Sequence, residues 1–109
     1  MSDGGLLILA TTFPDREAAE KVAGLLVDAG LAACAQVGAD LTSFFRWDGA
    51  VKCEREVAVL FKVLPDRYEL CAGELKLQHP YDVPQIVAWP ANRVDAAYLA
   101  WARGKGTAP

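Results

Sequence analysis

Three places in this 109-residue chain carry side chains able to do chemistry. The first is His79-Pro80-Tyr81-Asp82, where an imidazole, a phenol and a carboxylate fall within four residues. A neutral imidazole suits Cu²⁺ or Zn²⁺, and His79 is the only histidine. The second is Glu54 and Glu56. Two residues apart on an extended strand, they project to one side and can share a cation or accept hydrogen bonds from a ligand. The third is Cys34, in an alanine-rich stretch, as a thiolate ligand or as a small apolar packing residue. Lys62 is the single charge in the apolar run 57–63; it either forms an interface ion pair with Glu56 or binds an anion. Trp47, Tyr81 and Trp101 serve as packing anchors or as stacking surfaces for a ligand. The metal candidates are therefore His79, Cys34 and Glu54, and the small-ligand candidates are Trp47, Glu56, Lys62, Tyr81 and Trp101. No Gly-x-Ser-x-Gly, phosphate loop or nucleophile with a neighbouring base is present in sequence. A Cys34–His79 dyad would need the two within hydrogen-bond reach. The reading is non-enzymatic.

The elements that must position these residues follow from punctuation and periodicity. Pro80 pushes His79 out of the α region and Pro84 does the same to Val83, so a helix stops at His79 and a short strand, 85–89, follows a stiff loop. Pro90 is expected to close that strand, since proline is confined to strand ends and edges. Upstream, 6–11 reads as a first strand, and Asp15 caps a helix over 15–29. Its apolar stripe is Ala18, Val22, Leu25, Leu26 and Ala29, and Gly30 supplies the left-handed exit. Residues 31–37 form a strand ended by Gly38. Asp48-Gly49 between two extended runs predicts a type I′ hairpin within 41–63, pairing Trp47 with Ala50, Phe45 with Lys52 and Ser43 with Glu54. A second helix spans 66–78 with Tyr68, Cys71 and Leu75 inward, widened by Leu70 and Leu77. Asn92 or Asp95 caps a last helix carrying Tyr98, Leu99 and Trp101 until Gly104.

The fold class is α+β: a ferredoxin-like split β-α-β antiparallel sheet with a long central hairpin and a C-terminal helix, in a single domain over 1–109. Residues 1–5 and 105–109 read as frayed tails. Two helices cover one face of the sheet, yet the strands are apolar throughout, so both faces must be buried. The uncovered face measures about 350 Å², at the limit of what a monomer leaves exposed, and other subunits are expected to cover it. Hydrophobic residues make up 53% and the net charge is −3, which disfavours nucleic-acid binding. The N-terminus lacks a signal-peptide pattern and no apolar run is long enough for a membrane span, so the expectation is a cytoplasmic protein without a membrane partner. Cys34, Cys53 and Cys71 are odd in number and widely spaced, which points to reduced thiols.

With these segments placed, the sequence resembles the CutA family, small trimeric proteins linked to divalent-cation and especially copper tolerance. Leu31-Ala32-Ala33-Cys34-Ala35 resembles that family's LAAC strand, and Ser43-Phe44-Phe45-Arg46-Trp47-Asp48-Gly49 its S-x-Y-x-W-x-G hairpin. His79-Pro80-Tyr81 with Pro84 is similar to its HPY-x-x-P segment, and Tyr98-Leu99-Ala100-Trp101 to its closing Y-L-x-W. Cys34, Trp47, Glu56, Lys62, His79, Tyr81 and Trp101 stand where the family's recurrent residues stand. Phe45, Gln85 and Val63 replace a usual tyrosine, glutamate and threonine. Some copper-linked relatives have cysteine and histidine where Thr11 and Gln78 stand. The resemblance implies a tight homotrimer whose inter-subunit clefts take Cu²⁺, another divalent cation or a small anionic ligand. The PII signalling proteins, which sense small molecules, share the trimeric ferredoxin-like plan; that alternative rests on fold alone.

Overall fold

The computed structural model describes residues 5–109. Eight residues, Leu6–Phe13, form β1, and the chain turns at Pro14 into α1, Arg16–Asp28. Asp15 caps α1 by accepting the Ala18 N–H at 2.8 Å. At the far end Leu31 N–H reaches the Leu26 carbonyl and Gly30 N–H the Val27 carbonyl, with Gly30 at φ +75°, a glycine-dependent helix stop. The buried stripe of α1 is Ala19, Val22, Ala23 and Leu26. It is rotated from the expected one, leaving Leu25 exposed, because a sheet below the helix selects one i, i+3, i+4, i+7 set among overlapping apolar positions.

Gly38 does not end a strand. β2 runs unbroken from Cys34–Trp47, with a bulge between Val37 and Asp40 that contains Gly38. The extra residue flips the alternation of β2: Val37 lies opposite Val59 on the helix side, whereas Leu41 lies opposite Glu56 on the other. Arg16 steadies the bulge, donating to the Gly38 carbonyl at 3.1 Å and pairing with Asp40 at 3.2 Å. β3, Ala50–Val63, returns through Asp48 (φ 52°) and Gly49 (φ 76°), the two positive φ angles of a type I′ turn. The expected register holds, with Trp47 opposite Ala50, Phe45 opposite Lys52 and Ser43 opposite Glu54.

A 3₁₀ turn, Pro65–Arg67, leads into α2, Tyr68–Gln78. Cys71 and Leu75 are buried, but Leu70 and Leu77 are 61% and 79% exposed and do not join the core. His79 is extended, as the following proline requires. β4, Val87–Ala91, begins later than expected and contains Pro90 opposite Leu7. It is an edge strand, where the missing N–H faces no partner. α3, Ala96–Ala102, is capped by Asp95.

The sheet order is β2-β3-β1-β4, every neighbour antiparallel, which is the split β-α-β plan. Leu9, Phe13, Val59, Phe61 and Val63 point to α1 and α2 and are fully buried. On the other face Leu60, Val87 and Trp89 are 38–51% exposed. Both ends lie beside α3 where they are described. A side chain at Gly5 would sit 3.4 Å from Val94, and the Lys105 N–H bonds the Ala100 carbonyl at 2.8 Å; residues 1–4 lie outside the described residues. No helix among the described residues is long and apolar enough to cross a membrane.

Candidate functional site

His79 is built into the fold. Its Nδ1 accepts the Tyr81 N–H at 3.1 Å, so the proton sits on Nε2, which donates to the Thr12 carbonyl at 2.8 Å with the Thr11 hydroxyl at 3.3 Å. The ring stacks on Phe13, centroids 4.3 Å apart and 16° from parallel, and is 7% exposed. Burial lowers its pKa below the ordinary value, outweighing the Thr12 carbonyl and the Glu56 charge. Within the chain both nitrogens have partners, and the ring ties the loop to the end of β1.

That tie delivers Tyr81 to Glu56. The Tyr81 hydroxyl donates to Glu56 Oε2 at 2.9 Å, and the Thr12 hydroxyl donates to the same oxygen at 3.1 Å. Burial and the Glu56 carboxylate push the Tyr81 phenol up to about 12, so it remains a donor across the physiological range. Thr12 has no sequence signature beyond its place in β1, and sequence reasoning missed it.

The remaining candidates are spread along the same face. Lys62 is six residues from Glu56 on β3, about 20 Å away, so the two form no ion pair within the chain. Lys62 instead donates to Gln36 Oε1 at 2.8 Å, with its ammonium 5.9 Å from the centre of the Tyr98 ring. Cys34 faces Lys62 across the strand pair; burial, and then the neighbouring Cys34, raise the pKa of the Tyr98 phenol. Trp101 packs on Tyr98, centroids 5.3 Å apart. Gln36 and Tyr98 were also missed, since nothing in sequence pairs them with Lys62. Trp47 is at the hairpin tip, 67% exposed and again about 20 Å from Glu56. The metal candidates are scattered: Glu54 is eight residues along β3 from Lys62, the partner of Cys34, or about 26 Å. Cys34 lies on the open face while His79 packs on the helix side, so they form no dyad. Among the described residues no three His, Cys, Asp or Glu side chains gather as a metal would need.

The sequence matches the CutA1 divalent ion tolerance protein family over residues 7–105. The chain belongs to that family. It is 38% identical to the divalent-cation tolerance protein CutA of Pyrococcus horikoshii over 96 residues, 88% of this chain and 93% of that one. The CutA1 crystal structure from Shewanella sp. SIB1 superposes with a TM-score of 0.89 at 31% identity, covering 98% of this chain and all of that one. The periplasmic divalent cation tolerance protein CutA from Archaeoglobus fulgidus gives 0.87 at 30% identity, over 92% and 97% of the two chains. The CutA1 family is one of divalent ion tolerance proteins, not enzymes.

Proposed function

We propose that this CutA1 protein acts as a homotrimer whose inter-subunit clefts hold a divalent cation, Cu²⁺ among them, or a small ligand, without catalysing a reaction. The observation that carries this reading is the clamped carboxylate of Glu56. Two hydroxyls fix one of its oxygens, a degree of ordering that a solvated surface glutamate does not have. Assembly is supported by the apolar face opposite the helices and by the hairpin arm, which projects about 23 Å beyond β1 with Phe44, Trp47 and Val51 at least 66% exposed. A two-stranded arm is marginal in water on its own. Glu56, Lys62 and Trp47 stand too far apart to line one site in one chain, so a joint site needs residues from more than one subunit. The free thiols of Cys34, Cys53 and Cys71 support a reducing, cytoplasmic location.

The test is calorimetric titration of the metal-stripped protein with Cu²⁺ and Zn²⁺, beside Glu56→Gln. Saturable binding lost in the variant is expected; binding that Glu56→Gln leaves intact would move the ion elsewhere. The small-ligand reading, as in the PII-like sensors, is favoured over the metal one by the commitment of both His79 nitrogens.

A further inference from the structure

Leu70 and Leu77, expected to widen the buried stripe of α2, lie instead on its outer face, 61% and 79% exposed. Glu69, Gly73 and Lys76 are exposed beside them. At about 100° per residue, Gly73 runs down the middle of this strip, with the two leucines on one side of it and Glu69 and Lys76 on the other. A Cβ built at Gly73 meets nothing within 4 Å, so the strip is open at its centre. Among the described residues neither Glu69 nor Lys76 makes an ion pair, the one pair being Arg16 with Asp40. Cys71 and Leu75 hold α2 on the other side of the sheet from the open apolar face, so subunits that meet through that face do not cover the strip.

The strip is self-complementary in one orientation. Leu70 and Leu77, like Glu69 and Lys76, are two turns apart and straddle Gly73. A two-fold axis at Gly73 that sets a second α2 antiparallel to the first brings leucine side to leucine side and charged side to charged side. Leu70 then meets Leu77 of the second copy, and Glu69 meets its Lys76, each contact made twice. A parallel pairing would set leucines on charges. We infer that the outer strip of α2 docks, antiparallel about Gly73, on the same strip of a second copy of this chain. The missing side chain at Gly73 lets the two axes approach. The leucines alone would suit any apolar helix; the flanking charges of both signs single out the strip's own copy. With eleven residues α2 is about 16 Å long, too short to bury the roughly 1,000 Å² of a stable complex, so the contact forms at submillimolar and not micromolar concentration. Glu74 also keeps it weak, reaching the rim on the leucine side in both copies with the Gln78 amide donating to it at 2.8 Å. The contact joins assemblies to one another and does not build them, and it is independent of the ligand-binding reading of Glu56.

The experiment is sedimentation equilibrium of the full-length protein from about 10 µM to about 1 mM, the range in which a contact this small is populated. The mean mass is expected to rise with concentration above its micromolar value. Leu77→Asp should abolish the rise. Lys76→Glu should move it to concentrations about fivefold higher or more, two exposed pairs turning from attraction to repulsion, and Glu69→Lys with Lys76→Glu should restore it. Each variant is checked for an unchanged melting temperature. A rise that Leu77→Asp retains, or a charge exchange that fails to restore what Lys76→Glu weakens, would overturn the inference. So would a wild type that keeps its micromolar mass throughout, which would leave the strip to a different protein. A Leu77→Asp variant with a lower mass already at micromolar concentration would place the strip inside the primary assembly and overturn it as well.

Discussion

His79 shows how one residue type supports two opposite roles. Its lowered pKa has a definite consequence for stability. An unfolded chain holds the imidazole near its ordinary value of 6.5, above the folded value, so the folded state binds the proton less well. The contribution is complete above pH 6.5 and is lost as pH falls through the folded value. Urea unfolding midpoints should therefore drop between pH 7 and pH 5, and His79→Gln, though less stable at pH 7, should flatten that dependence. Equal slopes in the two proteins would assign the acid sensitivity elsewhere. Tyr81→Phe removes the hydroxyl from Glu56 and should cost about 1–2 kcal/mol in the same assay, a hydrogen bond to a charged group being at stake. Cys71 is fully buried, and burial pushes its thiol up to about 11. It should resist iodoacetamide in the native protein and react only on unfolding, as mass spectrometry would show.

At the scale of elements, glycines divide by their backbone. Gly73 lies inside α2, and a Cβ built there meets nothing within 4 Å. Gly73→Ala should stabilise by about 1 kcal/mol, read as a shift of the urea midpoint, because alanine loses less backbone entropy in a helix. Gly49 also has open space around it, but its φ of +76° is strained for any other residue, so Gly49→Ala should destabilise by about 1–2 kcal/mol. The sequence announced the hairpin because Asp-Gly satisfies two positive φ angles locally, and its register followed. It did not announce the bulge at Gly38, whose stabilising partner, Arg16, comes from α1, 22 residues away in sequence. Nor could it place Pro90 within β4, since whether a strand tolerates proline depends on being at the edge.

For the whole molecule, the continuous apolar runs that identified strands also implied burial on both faces, and one chain leaves one of them open. Leu60→Asp on that face should lower the mass measured by light scattering at micromolar concentration. Leu77→Asp, on the outer side of α2, should leave it unchanged. A monomeric wild-type protein would remove the basis for an inter-subunit site. The overall shape, 48 × 27 × 23 Å, reflects the hairpin arm rather than the core, and an arm of that length needs something to lie against.

Local chemistry was decided by the sequence alone: the Asp15 cap, the Gly30 stop, the Asp48-Gly49 turn, the extended backbone of His79 before Pro80, and the shared face of Glu54 and Glu56 on β3. These depend on interactions within a few residues, which a linear pattern records. The tertiary structure decided what those residues do. It packed His79 with hydrogen bonds to both nitrogens, gave Glu56 its Thr12 and Tyr81 donors, and, within the chain, set Lys62 beside Gln36 and Tyr98. Apart from the Tyr81 N–H on His79, each of these pairs bridges 25 to 67 positions of sequence, and only the stacking of β1, β3 and the loop after α2 brings the partners within hydrogen-bond range.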